Sequence, residues 1–350
     1  MNNEHLEEYL FPYWKGNYVF RESVLFCQDQ NGKPLPAKLL YPPCEILSVM
    51  SATAETEYAE HTDYRFQNGS LEWIPSSRIP CQTYEKLYPS GPLEDHSFSR
   101  TGGGYIYFSE GDVFHKMQTL VTYKHTSSWS GPIPENKSHL LPRFTKLLSS
   151  RQAPRMLVMG DSITEGANSS GPIGAPPYLG SWWQMSAAFL EKRFGVTIPM
   201  ANVSMGGQIS SWGAAQAEMA AKRYHPDCVI IAFGMNDGTH KVPPLEFKKN
   251  ISNMIKTFRA HNEETEFLLV GSILPNPEAA DFTGYQRENR DMLLELEGNK
   301  IAAADVTRMH EAFLEHKAYR DMTGNNVNHL NDFTARLQAQ VVLTTLGGLS

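Results

Sequence analysis

Two rhythms of hydrophobic and polar positions divide the chain. From about residue 10 to 125, apolar residues come in short runs: Tyr18-Val19-Phe20, Ser23-Val24-Leu25-Phe26, Glu45-Ile46-Leu47-Ser48-Val49 and Tyr105-Ile106-Tyr107-Phe108. Turn signals at Asn31-Gly32, Asn68-Gly69, Ser90-Gly91 and Gly102-Gly103-Gly104 punctuate them. Short β-rich runs between Gly and Asn turns predict a small β-sandwich or jelly roll. Residues 126–154 read as a connector. Ser127-Ser128-Trp129-Ser130-Gly131-Pro132-Ile133-Pro134 cannot hold regular structure for long, because each proline removes a backbone donor and restricts its predecessor.

From residue 155 the pattern turns to strand, helix, strand, helix. Arg155 to Met159 reads as a buried strand, and Ser181 to Phe194 has helical periodicity ending at Gly195. Pro199 to Val203 is a shorter strand, and Ser211 to Tyr224 is an Ala-rich helix stopped before Pro226. Asp227 to Phe233 is apolar without alternation, as expected of a strand covered on both faces. A helix over 244–261, a strand Glu266 to Ile273, a helix over 284–297, a strand Ile301 to Ala304 and helices near 307–319 and 331–346 complete the series. Strands alternating with helices imply a parallel sheet with right-handed crossovers, whose ligands sit beyond the carboxyl ends of the strands.

Length turns this into two expected domains, a β-rich region with its connector over 1–148 and an α/β domain over 149–350. Hydrophobic residues are 41% and charged residues 20%, enough apolar side chain for a sizeable core. The net charge is -7, and the longest basic cluster is a pair such as Lys248-Lys249, which argues against a nucleic-acid partner. Cys27, Cys44, Cys81 and Cys228 form no CxxC spacing, so neither a metal nor a redox site is expected. Met1 to Glu8 is polar and acidic, unlike a signal peptide, and no run of 18 apolar residues suggests a membrane span. A cytoplasmic protein without a membrane partner or cofactor is expected.

The polar exceptions fall at strand ends. The first strand of the α/β part runs into Gly160-Asp161-Ser162, the second into Asn202-Val203-Ser204-Met205-Gly206-Gly207, the third into Gly234-Met235-Asn236-Asp237. Asn326-Val327-Asn328-His329 lies in a polar loop before the last helix. A serine hydroxyl becomes nucleophilic when a base takes its proton, and histidine titrates in the right range. The backbone N–H groups of Ser162 and Gly207 and the side-chain amide of Asn236 are candidate donors to an oxyanion. Glycine at 207 leaves room for the acyl group that its N–H must approach.

These four segments, in this order, resemble the four blocks of the SGNH/GDSL hydrolase superfamily over roughly residues 155–346. The resemblance implies a three-layer α/β/α domain similar to flavodoxin, with Ser162 as nucleophile, His329 as base, and Gly207 and Asn236 in the oxyanion hole. No Gly-x-Ser-x-Gly occurs, against an ordinary α/β-hydrolase, and Walker A and Gly-x-Gly-x-x-Gly motifs are absent too. One position departs from the family. The usual last block is Asp-x-x-His, and here Asn326 stands three before His329. An amide accepts a hydrogen bond from imidazole but does not stabilise imidazolium by charge. The ring is therefore oriented by Asn326 or a backbone carbonyl in a Ser–His dyad, by another carboxylate (Asp332, Asp305 or Asp321), or the centre is catalytically feeble.

Other features carry plainer readings. Trp182 and Trp183 suit a sugar platform but fit core better, and Trp129 suits packing between domains. Asn68, Asn136, Asn168, Asn202 and Asn250 begin N-x-Ser triplets, chance matches without a secretory signal. The loop from Asn168 to Gly180 is expected to overhang Ser162 and shape a short acyl pocket. The expected activity is carboxylic-ester hydrolysis, of acetyl on a carbohydrate by resemblance to carbohydrate acetylesterases with an added β-domain. A lysophospholipase, thioesterase or acyltransferase on the same site, or a carbohydrate-binding protein with a decayed hydrolase domain, are the alternatives. The β-domain offers a surface for oligomers.

Overall fold

The computed structural model describes residues 4–349; Met1 to Asn3, the start of the polar amino-terminal segment, and Ser350 lie outside it. In the amino-terminal region, strands β1 (Tyr18–Val24), β2 (Pro43–Ser51) and β3 (Thr119–His125) form an antiparallel sheet with β3 in the middle. Two-stranded pieces join Tyr64–Gln67 to Ser70–Trp73, Ser97–Ser99 to Tyr105–Tyr107, and Phe26–Cys27 to Cys81–Gln82. The region is β-rich, as its pattern foretold, and Asn68-Gly69 makes the turn of the first ribbon. Its hydrogen-bonded strands amount to one small sheet and three short ribbons. Helix α1 (Val113–Met117) leads into β3, and α2 (Pro142–Ser149) ends the otherwise irregular connector.

The second part is a parallel five-stranded sheet: β4 (Met156–Gly160), β5 (Met200–Ser204), β6 (Cys228–Ala232), β7 (Glu266–Val270) and β8 (Ile301–Ala304), in the spatial order β5-β4-β6-β7-β8. Its helices are α3 (Ser162–Glu165), α4 (Trp182–Phe194), α5 (Ser210–Tyr224), α6 (Met235–Thr239), α7 (Pro244–His261), α8 (Gln286–Leu294), α9 (Val306–His316) and α10 (Asp332–Thr345). The two-residue period of the strands sorts side chains between two cores. Met156, Val158, Cys228, Ile230, Leu268 and Val270 face α4, α9 and α10. Leu157, Met159, Val229, Ile231, Phe267 and Leu269 face α5, α7 and α8. Edge strand β5 is only partly buried, whereas the strands beside it are covered on both faces. That is the three-layer, flavodoxin-like order expected. Its strand order reverses at β4, next to β6, where such sheets open a ligand crevice.

The first core does not stop at the α/β part. Leu10, Tyr13, Val24, Val49 and Tyr123 belong to the same buried cluster as Phe313, Phe333 and Leu337. Helix α10 is therefore enclosed on every side, polar residues included. Arg336 donates to the carbonyls of Tyr9, Phe20 and Arg21, and Gln340 donates to those of Tyr9 and Phe11 while accepting from the N–H of Tyr13. Arg336 and Gln340 thus have partners for their buried polar groups, which is the condition for enclosing them, whereas the Gln338 side-chain oxygen is buried without one. Trp182 is fully buried, and Trp129 packs against Tyr41, Phe313 and His316, so both aromatics serve as core. Among the described residues no helix is long and apolar enough to cross a membrane.

Candidate active site

Three strand ends meet at the crevice. Gly160 closes β4 because a Cβ there would lie 2.2 Å from Thr164 Oγ1 and 2.7 Å from the Ala232 carbonyl. The buried Asp161 then caps the short α3, accepting the N–H of Ile163 at 3.0 Å, and Ser162 is the first residue of that turn. Burial pushes the Asp161 carboxyl up to about 7, against the N–H bond and the nearby His329, which favour its charge. The helix stops at Gly166, whose φ of 91° is left-handed.

Beyond β5, Gly206 sits against the serine: a Cβ on it would lie 3.7 Å from Ser162 Cβ and 3.2 Å from Glu165 Oε2. Gly207 has a φ of 73°, and a Cβ there would meet no protein atom within 4 Å, so conformation rather than packing selects glycine. Beyond β6, Asn236 is nearly buried on α6 and one amide hydrogen goes to the Gln208 carbonyl at 3.0 Å. An amide nitrogen carries two hydrogens, so one remains. The fully buried Asp237 holds these segments in register, its carboxylate accepting the Ser210 N–H at 3.0 and 3.1 Å and the Ser210 hydroxyl. Burial raises the Asp237 carboxyl despite those bonds.

His329 arrives from the loop before α10. Its Nε2 lies 2.9 Å from Ser162 Oγ. The loop is built by Asn325, whose Oδ1 accepts the N–H groups of Val327, Asn328 and His329, each at 3.0 Å. Thr323 adds a hydroxyl bond to the His329 carbonyl. Gln118 of the amino-terminal region donates to the Thr323 carbonyl, and Asn331 donates to Ser23 Oγ, Gln118 Oε1 and the Asp321 carbonyl. The small sheet thereby clamps the histidine loop from behind.

The ring's other nitrogen faces two acceptors, Asn168 Oδ1 at 2.7 Å and Glu110 Oε2 at 3.1 Å. Asn168 Nδ2 donates to the Gly111 carbonyl at 3.0 Å, which turns its oxygen to the ring. Two oxygens at Nδ1 place the proton there and leave Nε2 as the acceptor of the serine hydroxyl. Glu110 Oε1 accepts from Asn325 Nδ2 at 3.0 Å. Burial would raise the Glu110 carboxyl, but hydrogen bonds from His329, Asn325 and Asn168 and the ring's charge hold it below the usual carboxylate range.

The expected orienting residues must therefore be corrected. Asn326, in the left-handed region at φ 70°, points away from the ring: it donates to the Tyr107 carbonyl at 2.9 Å and receives Asn276 Nδ2 on its own carbonyl. Asp332 begins α10 and accepts the Ser170 N–H, Asp305 caps α9 and pairs with Arg290, and Asp321 accepts the Leu25 N–H. Each is committed to partners other than the ring. Glu110 and Asn168 carry little sequence signal. Glu110 sits in an exposed Glu110-Gly111-Asp112 turn like any solvated carboxylate, and Asn168 lies within a chance N-x-Ser triplet. The loop holding Asn168 ties back to α1, where His115 Nε2 and the Pro176 carbonyl lie 2.7 Å apart.

Comparisons with known proteins show the family. The model of the GDSL-like lipase/acylhydrolase family matches residues 158–337, just over half of the chain. The chain is 27% identical over 128 residues to the thioesterase 1/protease 1/lysophospholipase L1 of Escherichia coli (strain K12), covering 36% of this chain and 56% of that protein. It is 27% identical over 174 residues to an arylesterase of Vibrio mimicus, covering 49% of this chain and 78% of that one. The match thus spans little over half the length of the first of these relatives. Among solved structures, a two-domain esterase active on acetylated mannans, co-crystallised with mannopentaose, is 19% identical with a TM-score of 0.49, over 62% of this chain and 55% of that one.

Proposed function

Since the chain belongs to the GDSL-like lipase/acylhydrolase family, we propose that it is a serine esterase that cleaves short acyl esters of a hydrophilic alcohol. The observation that carries this is the 2.9 Å contact of Ser162 Oγ with His329 Nε2, on a ring whose Nδ1 proton is held from behind. Ser162 attacks the ester carbonyl as its proton passes to Nε2, and the imidazolium then gives that proton to the leaving alcohol. Water repeats the sequence on the acyl-enzyme. The Gly207 N–H and the remaining Asn236 amide hydrogen receive the negative oxygen. Asn236→Ala is expected to lower kcat about 10²–10³-fold with KM nearly unchanged, because such a donor acts mainly in the transition state; initial rates against substrate concentration measure both.

The surroundings of the serine favour an uncharged, hydrophilic alcohol. Ser162 and His329 are partly exposed, Gly206 and Gly207 are exposed, and Glu110 and Glu165 present carboxylates beside them. An open, acidic rim suits a neutral polyol such as an acetylated sugar. It repels phosphate-bearing acyl donors such as lysophospholipid esters and acyl-coenzyme A thioesters. A fluorophosphonate probe tests the nucleophile, with labelling expected in the wild type and lost in Ser162→Ala. Acetyl against octanoyl 4-nitrophenyl esters test the acyl pocket; activity rising toward eight carbons would sink the short-acyl reading. Acetylated oligosaccharides, with hydrolysis scored against transfer to a second sugar, test the alcohol and separate an esterase from an acyltransferase.

A further inference from the structure

His329 Nδ1 carries one proton but faces two acceptors of different kind. Asn168 is buried, neutral and the nearer, at 2.7 Å. Glu110 is charged, farther at 3.1 Å, and its side chain is 50% exposed. It comes from the turn between Tyr105–Tyr107 and α1, 219 positions away in sequence. It is not placed loosely, because Asn325 holds its second oxygen with the same side chain that cradles the backbone of residues 327–329. One amide thus sets both the ring and its carboxylate.

We propose that the two acceptors divide the task of a triad's third member. Asn168 fixes the resting tautomer, and Glu110, delivered by the amino-terminal region, is the positioning residue whose charge stabilises the imidazolium. The inference rests on the serine-esterase reading above. In the resting state Nδ1–H donates chiefly to the near amide. When Ser162 Oγ bonds to the acyl carbon, its proton moves to Nε2 and the ring becomes positive. The Nδ1 proton stays on the ring, and Glu110 remains a carboxylate throughout. A neutral amide orients the ring but gains nothing from its new charge, whereas a carboxylate gains a Coulomb attraction. The held-down Glu110 carboxyl is consistent with this, being charged across the neutral range.

Among the described residues no other ionisable side chain is hydrogen-bonded to Nδ1. Asp161, next to the serine at the end of β4, accepts the Ile163 N–H, and burial pushes its carboxyl up to about 7 although the nearby His329 favours its charge. On the α1 side Asp112 pairs with Lys116. On the α10 side the half-buried Asp332 accepts the Ser170 N–H, with His115 and Arg336 as neighbours. Glu165 lies by Gly206.

The test is the pH profile of kcat on a short acyl ester, paired with ¹⁵N NMR of the His329 ring. Glu110→Gln keeps the shape of an exposed side chain, so folding is preserved. It is expected to lower kcat about tenfold, with KM within about threefold of wild type, and to move the acid limb down by about one pH unit, since one unit equals a tenfold change. Glu110→Asp should retain part of the effect. Asn168→Asp in the Glu110→Gln background should restore the charge from the nearer position and recover most of the rate. In the NMR arm, Glu110→Gln should keep the Nδ1–H tautomer while lowering the ring's titration midpoint, and Asn168→Ala should mix the tautomers. A Glu110→Gln profile that overlays the wild type, or a loss that Asn168→Asp leaves unrepaired, overturns the proposal. If the wild type cleaves no ester, the esterase reading fails, and the NMR arm still decides whether Glu110 is coupled to the ring's charge.

Discussion

Ser162→Ala and His329→Ala are each expected to reduce kcat for a short acyl ester by about four orders of magnitude or more, and the double variant by no more than either single one. The reason is geometric. The serine proton and the Nε2 lone pair share one 2.9 Å contact, so removing either end abolishes the whole transfer and leaves the other end nothing to lose. Two residues contributing independently would instead multiply their losses. Neither side chain is fully buried, and neither belongs to the hydrophobic core. Thermal stability should therefore change little, and a calorimetric scan alongside the kinetics separates lost chemistry from lost folding. Equal losses in kcat and in kcat/KM identify an interaction made in the transition state. A variant retaining a tenth of the wild-type rate would remove Ser162 or His329 from the mechanism.

The second large effect is expected on stability, far from the serine. Lys317, just past α9, and Glu22, on β1, form an ion pair whose side chains are both 0% exposed. Glu22 also accepts the Leu40 N–H at 2.7 Å and the Tyr123 hydroxyl at 2.7 Å, while Lys317 donates to the Ser23 carbonyl at 3.0 Å. Every charge is answered, and the pair joins the two regions. Lys317→Ala leaves a buried carboxylate without its cation, which costs about 3–5 kcal/mol. Lys317→Met with Glu22→Gln removes both charges and should cost clearly less, since a buried pair as a unit adds little net stability. Chemical denaturation of the singles and the double measures the difference; a single variant as stable as the double would show that the charges are hydrated. Because α10 is enclosed between the sheet and the amino-terminal region, residues 149–350 alone are expected to remain unfolded or aggregate, exposing Phe333 and the polar side chains of Arg336 and Gln340.

Much of the α/β part could be read from its pattern. The strand over Ile301 to Ala304 and the helix from 244 to 261 coincide with the observed elements, and most other bounds differ by one to three residues. Local signals suffice there. A run of apolar residues without alternation has to be covered on both faces, and Gly195, in the left-handed region at φ 66°, ends α4 where the sequence said it would. The amino-terminal region was less legible. Its central strand, Thr119–His125, gains its place from pairing with strands about a hundred and about seventy-five residues earlier, and no local pattern fixes such partners. Helix α10 shows the same limit: its pattern gave a helix near 331–346, but not that carbonyls of the first two dozen residues would surround Arg336 and Gln340.

The sequence by itself determined the doubly wound sheet and the delivery of Ser162, Gly207 and Asn236 to one edge, with His329 in a polar loop before the last helix. Strand ends are local features, and parallel order places them side by side. What orients His329 was decided by tertiary structure alone. Asn326 is nearest in the block pattern, but its left-handed backbone turns its side chain toward Tyr107 and Asn276. The space behind the ring is filled by Asn168, from the loop after Ser162 and oriented by the Gly111 carbonyl, and by Glu110, brought there by packing of the amino-terminal region against the histidine loop. A hydrogen bond requires an acceptor within about 3 Å along the N–H direction, not at a given spacing in the chain. Only the folded arrangement of distant segments can meet that condition.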